Sequence, residues 1–153
     1  MIRKAMICAL AATVLTISSA AFAQQSPYGS AAEAKAMLEE VVVAVQADKA
    51  KALSMFNKGE GGFKDRDLQP FCFDVSDGKI VSSTHPSLLG TDVQTLKDKT
   101  DKAFGQELYN AATDGKITEV SYMFPRPGED VPVQKVSFVT GVSDIGCGVG
   151  YFK

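Results

Sequence analysis

Between residues 118 and 142 apolar and polar positions alternate with a period of two, the pattern of strands that bury one face. Val120, Tyr122 and Phe124 fall on one side, Ser121 and Met123 on the other. Pro125, Pro127 and Pro132 separate this strand from a second one over 133–142, since proline offers no N–H to a ladder. The second strand carries Lys135 among apolar neighbours. The same period predicts a strand over 70–75, with Phe71, Phe73 and Val75 on one face and Cys72 and Asp74 on the other. Ser76-Asp77-Gly78 is a hairpin signal that turns it into a strand over 79–83. In the last strand, over 146–152, Gly146, Gly148 and Gly150 share one face, opposite Cys147, Val149 and Tyr151. Alternating glycines mean that something bulky approaches that face, either packed rings or a ligand.

Two stretches follow the helical period instead. Ser30 and Glu33 have the spacing of a capping box. Behind them Ala34, Leu38, Val41, Val45, Ala52 and Met55 or Phe56 line one face until Gly59, a helix of about 27 residues. That length suits packing on the chain's own sheet or pairing with a second helix, although Asp48 interrupts the apolar seam. The sheet pattern is absent over 84–115, where Thr91-Asp92 can cap a short turn. Phe104, Leu108 and Ala111 or Ala112 mark a helix that Asp114-Gly115 ends.

Composition changes this picture mainly at the start of the chain. Arg3 and Lys4, an apolar run over 5–17 and Ala21-Phe22-Ala23 have the form of a signal peptide over 1–23, cleaved after Ala23. The run is too short to anchor in a bilayer, which takes about 20 residues. The expectation is an exported protein, periplasmic or secreted, with one domain over 24–153 and no membrane insertion after cleavage. Without Arg3 and Lys4, 14 basic residues face 18 acidic ones, a formal charge of about −4. No basic stripe remains, which argues against nucleic acid as a partner.

Removing the leader also removes Cys8, leaving Cys72 and Cys147. An even pair in an exported protein points to a disulfide rather than a metal site or a redox motif. If the two face each other on neighbouring strands, Phe71 and Phe73 share the glycine face and their rings can fill the space it leaves. The single histidine, His85, precedes Pro86 and reads as an exposed turn residue. With it no nucleophile–base–orienter set can be assembled, so no enzyme activity and no cofactor are expected. Lys135 either snorkels on an ordinary hairpin or offers its ammonium, beside aromatic rings, to a small carboxylate.

Helix, hairpin, helical insertion and three antiparallel strands is the element order of a PAS-like α+β domain. The runs PFCFDVSDGKIVSSTHPSLLGTD, FGQELYNAA, YMFPRPGEDVPVQKVSFV and GCGVGYF resemble single Cache domains, the extracytoplasmic sensor modules of bacterial chemoreceptors and kinases. The resemblance implies a long N-terminal helix on a five-stranded antiparallel sheet, with the helical insertion between the second and third strands. It further implies a pocket under the insertion for short organic acids such as acetate, propionate or pyruvate. By position, Lys135 would pair with the carboxylate, Tyr122 and Phe124 would form an aromatic wall, and Phe71, Phe73 and Phe138 would close the apolar end. Phe124 stands where the family often has tryptophan, Gln134 where it has proline and Ser83 where it has histidine. Because the chain ends at Lys153, its bound state is expected to be read by a separate membrane receptor or kinase, or through a second copy paired along the helix. A ligand-independent interaction subunit associating through that helix is the alternative.

Overall fold

The computed structural model describes residues 26–83 and 85–153. The expected leader over 1–23 lies outside the described residues. Helices α1 (Ala31–Ala47) and α2 (Lys49–Lys58) come first, followed by strands β1 (Pro70–Asp74) and β2 (Ile80–Ser82). An insertion with two 3₁₀ turns and helix α3 (Phe104–Ala111) leads to β3 (Thr118–Pro125), β4 (Pro132–Val142) and β5 (Ile145–Phe152). The five strands form one antiparallel sheet in the order β2-β1-β5-β4-β3. This is the expected α+β architecture, with the insertion between the second and third strands. None of the described helices is long and apolar enough to cross a membrane.

The N-terminal helix is not continuous. The capping box forms, Ser30 Oγ accepting from the Glu33 N–H while Glu33 accepts from the Ser30 N–H. At Asp48, however, the backbone turns extended, and its carboxylate accepts from the Lys51 N–H at 3.0 Å to start α2. An aspartate in an apolar seam is better placed as a cap than as a buried side chain. The expected single helix is thus two, and Gly59 ends the second in the left-handed conformation, as its position predicts. The seam needed for long helix pairing is cut in the same place.

Both faces of the sheet are covered. On one, Leu38, Val41 and Phe56 of the two helices pack on Cys72, Phe138, Ile145, Cys147 and Val149. On the other, the insertion supplies Val93, Phe104 and Leu108 against Phe73, Val120, Tyr122 and Val139. The disulfide Cys72–Cys147 joins directly opposed residues of β1 and β5, both fully buried on the helix side. That pairing sets Phe71 against Gly148 and Phe73 against Gly146. A Cβ on either glycine would come within 2.5 Å of the opposing ring. The expected exchange of rings for glycines is therefore what the register achieves.

The loop between α2 and β1 fastens the first helical turn. Arg66 bonds Glu33 and Asp65, each at 2.6 Å, and also the Tyr28 carbonyl. Asp67 accepts from the Gly29 N–H at 2.6 Å. The Ser30 backbone N–H and then Arg66 hold the Glu33 carboxyl at about 2.

Cross-linking residues 75 apart in sequence removes loop entropy from the unfolded chain worth on the order of 4 kcal/mol. Reduction under native buffer conditions is expected to lower the urea midpoint accordingly, with two thiols titrating only after it. A midpoint indifferent to reductant would show that the cross-link carries no stability.

Candidate ligand site on the insertion face

Register places the site. Tyr122 on β3 pairs with Lys135 on β4, which pairs in turn with Phe152 on β5, so three adjacent strands set these side chains in a row on the insertion face. Phe124 lies two residues further along β3 on the same side. The Lys135 ammonium sits over two rings, 5.2 Å from the centroid of Phe124 and 4.8 Å from that of Phe152. Gly150 makes this possible, because a Cβ there would lie 2.5 Å from Lys135 Cε. Two of the three alternating glycines thus receive phenylalanine rings, and the third receives the lysine stem.

The cover is built by the insertion. Phe104 stacks on Tyr122 with centroids 4.2 Å apart and planes nearly parallel at 9°. Asp98 ties this cover to the sheet by accepting from the Met123 N–H as well as from Thr100 and the Lys102 N–H. These bonds, the Thr100 hydroxyl foremost, hold its carboxyl at about 2.

Two cavities meet at Lys135. The inner one, about 60 Å³, is walled mainly by apolar residues, among them Ile80, Leu88, Val93, Leu96, Phe104, Leu108 and Tyr122. The outer one, about 330 Å³, is walled by Lys64, Arg66, Asp67, Gln69, Pro125, Pro127, Gly150 and Phe152. Phe71, His85, Phe124 and Lys135 line both and form the neck between them. At roughly 10–15 Å³ for each water-sized position, the inner cavity admits about four to six non-hydrogen atoms.

The charges of the site follow from burial. Loss of solvent pushes the partly buried Lys135 ammonium down to about 8, with Asp67 acting weakly in the opposite direction. Burial pushes the Tyr122 hydroxyl up to about 12 against its hydrogen bond with Ser137 Oγ at 2.9 Å. His85 is held below the usual histidine range, first by burial and then by the charge of Lys135. At neutral pH the neck therefore presents one cation and no ionised phenol. Among the described residues no hydrogen-bond acceptor or carboxylate reaches Lys135 Nζ.

Of the residues expected from the sequence, Lys135, Tyr122, Phe124 and Phe71 line the cavities. Phe73 is fully buried beneath the cover, stacked on Tyr109 at 6.0 Å, and lines neither. Phe138 is a correction. It lies across the sheet in the helix-side core, stacked on Tyr151 at 5.8 Å, because three residues from Lys135 is an odd step along a strand. His85 is an exposed turn residue before Pro86, as expected, and its ring lies edge-on to Phe124 at 5.4 Å in the neck. Phe152 was not expected, although its place opposite Lys135 follows from a β4–β5 hairpin. Arg126 lines neither cavity; its guanidinium lies over the rings of Tyr28 and Phe152.

Residues 24–150 match the family of the Cache domain. The fold is similar to that of a methyl-accepting chemotaxis protein from Vibrio parahaemolyticus RIMD 2210633, with a TM-score of 0.65 at 21% identity, over 79% of this chain and 86% of that one. It is also similar to the periplasmic sensor domain of a chemotaxis protein (TM-score 0.58, 23% identity, 77% and 86% covered). A third is a Cache chemosensory domain solved to explain its carboxylic acid recognition (0.56, 21%, 77% and 84%). No protein of curated function matches the sequence.

A partly buried ammonium without a hydrogen-bonded carboxylate is a stability cost. With the folded value near 8 and an unfolded one about 10.4, the cost is on the order of 3 kcal/mol, of which the two rings return roughly 1 kcal/mol or more. Lys135→Met is therefore expected to raise the unfolding free energy at pH 7 by about 1–2 kcal/mol. Between pH 8 and 10.4 the unfolded chain holds more protons than the folded one, so wild-type stability rises with pH there and the gap to the variant closes. A variant less stable than wild type at pH 7 would mean that the ammonium is solvated after all.

Proposed function

This chain belongs to the Cache domain family, and from that premise we propose that it is an exported binding module for short-chain organic acids. Acetate, propionate and pyruvate are the candidate ligands. The observation that carries this reading is the Lys135 ammonium, held over two rings at the mouth of a small apolar cavity with no carboxylate in hydrogen-bond reach among the described residues. A ligand carboxylate at the neck supplies the missing counter-charge, and its short carbon chain replaces empty apolar space in the inner cavity. Tyr122 and Ser137 share a hydroxyl–hydroxyl bond in which either can donate, leaving one hydrogen for an oxygen of the ligand. A carboxylic-acid-binding Cache domain among the structural neighbours supports the ligand class. The occurrence of such domains in chemotaxis proteins supports a membrane receptor or kinase as the partner that reads the bound state.

Thermal-shift and calorimetric titration with these acids tests the proposal. Ligand at a hundredfold its dissociation constant is expected to stabilise the protein by about 2.7 kcal/mol, and Lys135→Met to abolish the effect. Affinity should be level below pH 8 and fall by up to about tenfold per unit above it, because only the ammonium form pairs with the anion. Near pH 8 binding should also take up protons. An unchanged melting temperature with every acid, in wild type and variant alike, sinks the reading.

A further inference from the structure

Lys135 has the surroundings of an amine nucleophile as well as those of a cation. Its ε-nitrogen stands between the rings of Phe124 and Phe152, and no described acceptor holds its protons. Gly150 frees the stem to reach the neck, and the cavity beyond has apolar walls and room for only a few atoms. Lysines desolvated in this way are the ones that condense with carbonyl groups.

We propose that Lys135 is a reversible covalent attachment point for a small 2-oxo acid, its ε-amine condensing with the ligand's carbonyl carbon to an iminium. The proposal rests on the short-acid reading of the same site and narrows the ligand to an acid with a carbonyl beside its carboxylate. The nitrogen forms a bond to the carbonyl carbon, and the carbonyl oxygen departs as water. Written from the ammonium, R–NH3⁺ and O=C(R′)COO⁻ give R–NH⁺=C(R′)COO⁻ and H2O, with no net proton and no oxidant or reductant. The iminium keeps its positive charge next to the carboxylate, so the ion pair survives the condensation. Apolar walls disfavour the water that would reverse it. Acids without a carbonyl stop at the ion pair.

Trapping tests this directly. The native protein is incubated with glyoxylate or pyruvate in the presence of cyanoborohydride, which reduces an iminium to a stable secondary amine, and adducts are mapped by peptide mass spectrometry. With its amine near 8, Lys135 at pH 8 is about half unprotonated, against well under 1% for a surface lysine. Its lower basicity takes back part of that advantage, leaving an expected preference of about tenfold. Its labelling rate should level off above pH 8 while that of the other lysines still climbs. Acetate should protect it, and Lys135→Arg, which keeps the cation, should lose this adduct alone. Adducts distributed by exposure, with Lys135 no faster than its neighbours, overturn the proposal. If acetate raises the melting temperature while Lys135 shows no preference, the covalent step is wrong and the short-acid reading stands. If Lys135 labels fast and no acid raises the melting temperature, the attachment is supported and the ion-pair reading of the ligand falls.

Discussion

A lysine whose charge is stabilised by aromatic faces rather than by a carboxylate governs the design of the insertion side. Each neighbouring choice makes sense as a means of placing that ammonium. Gly150 gives its stem a channel, Phe124 and Phe152 flank its head, and Phe104 on Tyr122 closes the space above. Dispersion and quadrupole attraction return only part of the desolvation cost. The protein therefore keeps an interaction that remains incomplete until an anion arrives, and folding must draw on other parts of the structure to sustain it.

Those other parts lie mainly across the sheet. The helix-side core has Leu38, Val41, Phe56 and Val149 fully buried, with the disulfide among them. The sheet thus divides the molecule into a cross-linked half packed by the helices and a half that contains the two cavities. The cover of the open half is held from outside by polar bonds, notably those of Asp98 to the insertion backbone and to Met123. Backbone bonds of this kind fix a wall while leaving the space behind it unfilled.

Much of this was legible in the sequence because it rests on short-range rules. The capping box, the left-handed glycine after α2 and the strand faces follow from periodicity or from turn chemistry, and the Cys72–Cys147 bond from cysteine count in an exported chain. The glycine face leaves room for rings or for a ligand; rings fill it at Gly146 and Gly148, and that Gly150 accommodates a lysine stem depends on the β4–β5 register. The family resemblance puts Phe138 at the apolar end of the pocket, whereas strand parity from Lys135 puts it on the opposite face, where it lies. The break at Asp48 was visible as a polar residue in the seam, but not its use as a cap for a second helix. His85 could not be placed in the neck from sequence, since its position depends on how an irregular insertion returns to the sheet.

The loop that carries Arg66 and Asp67 serves two masters. Its side chains wall the outer cavity, and the same side chains clasp Gly29, Tyr28 and Glu33 at the start of α1. Phe152 is shared likewise, with both Lys135 and Arg126 over its ring, and Arg126 leans on Tyr28. The wall of the outer cavity and the clasp on the first helical turn are thus one set of side chains, so that a substitution at Arg66 or Asp67 disturbs both.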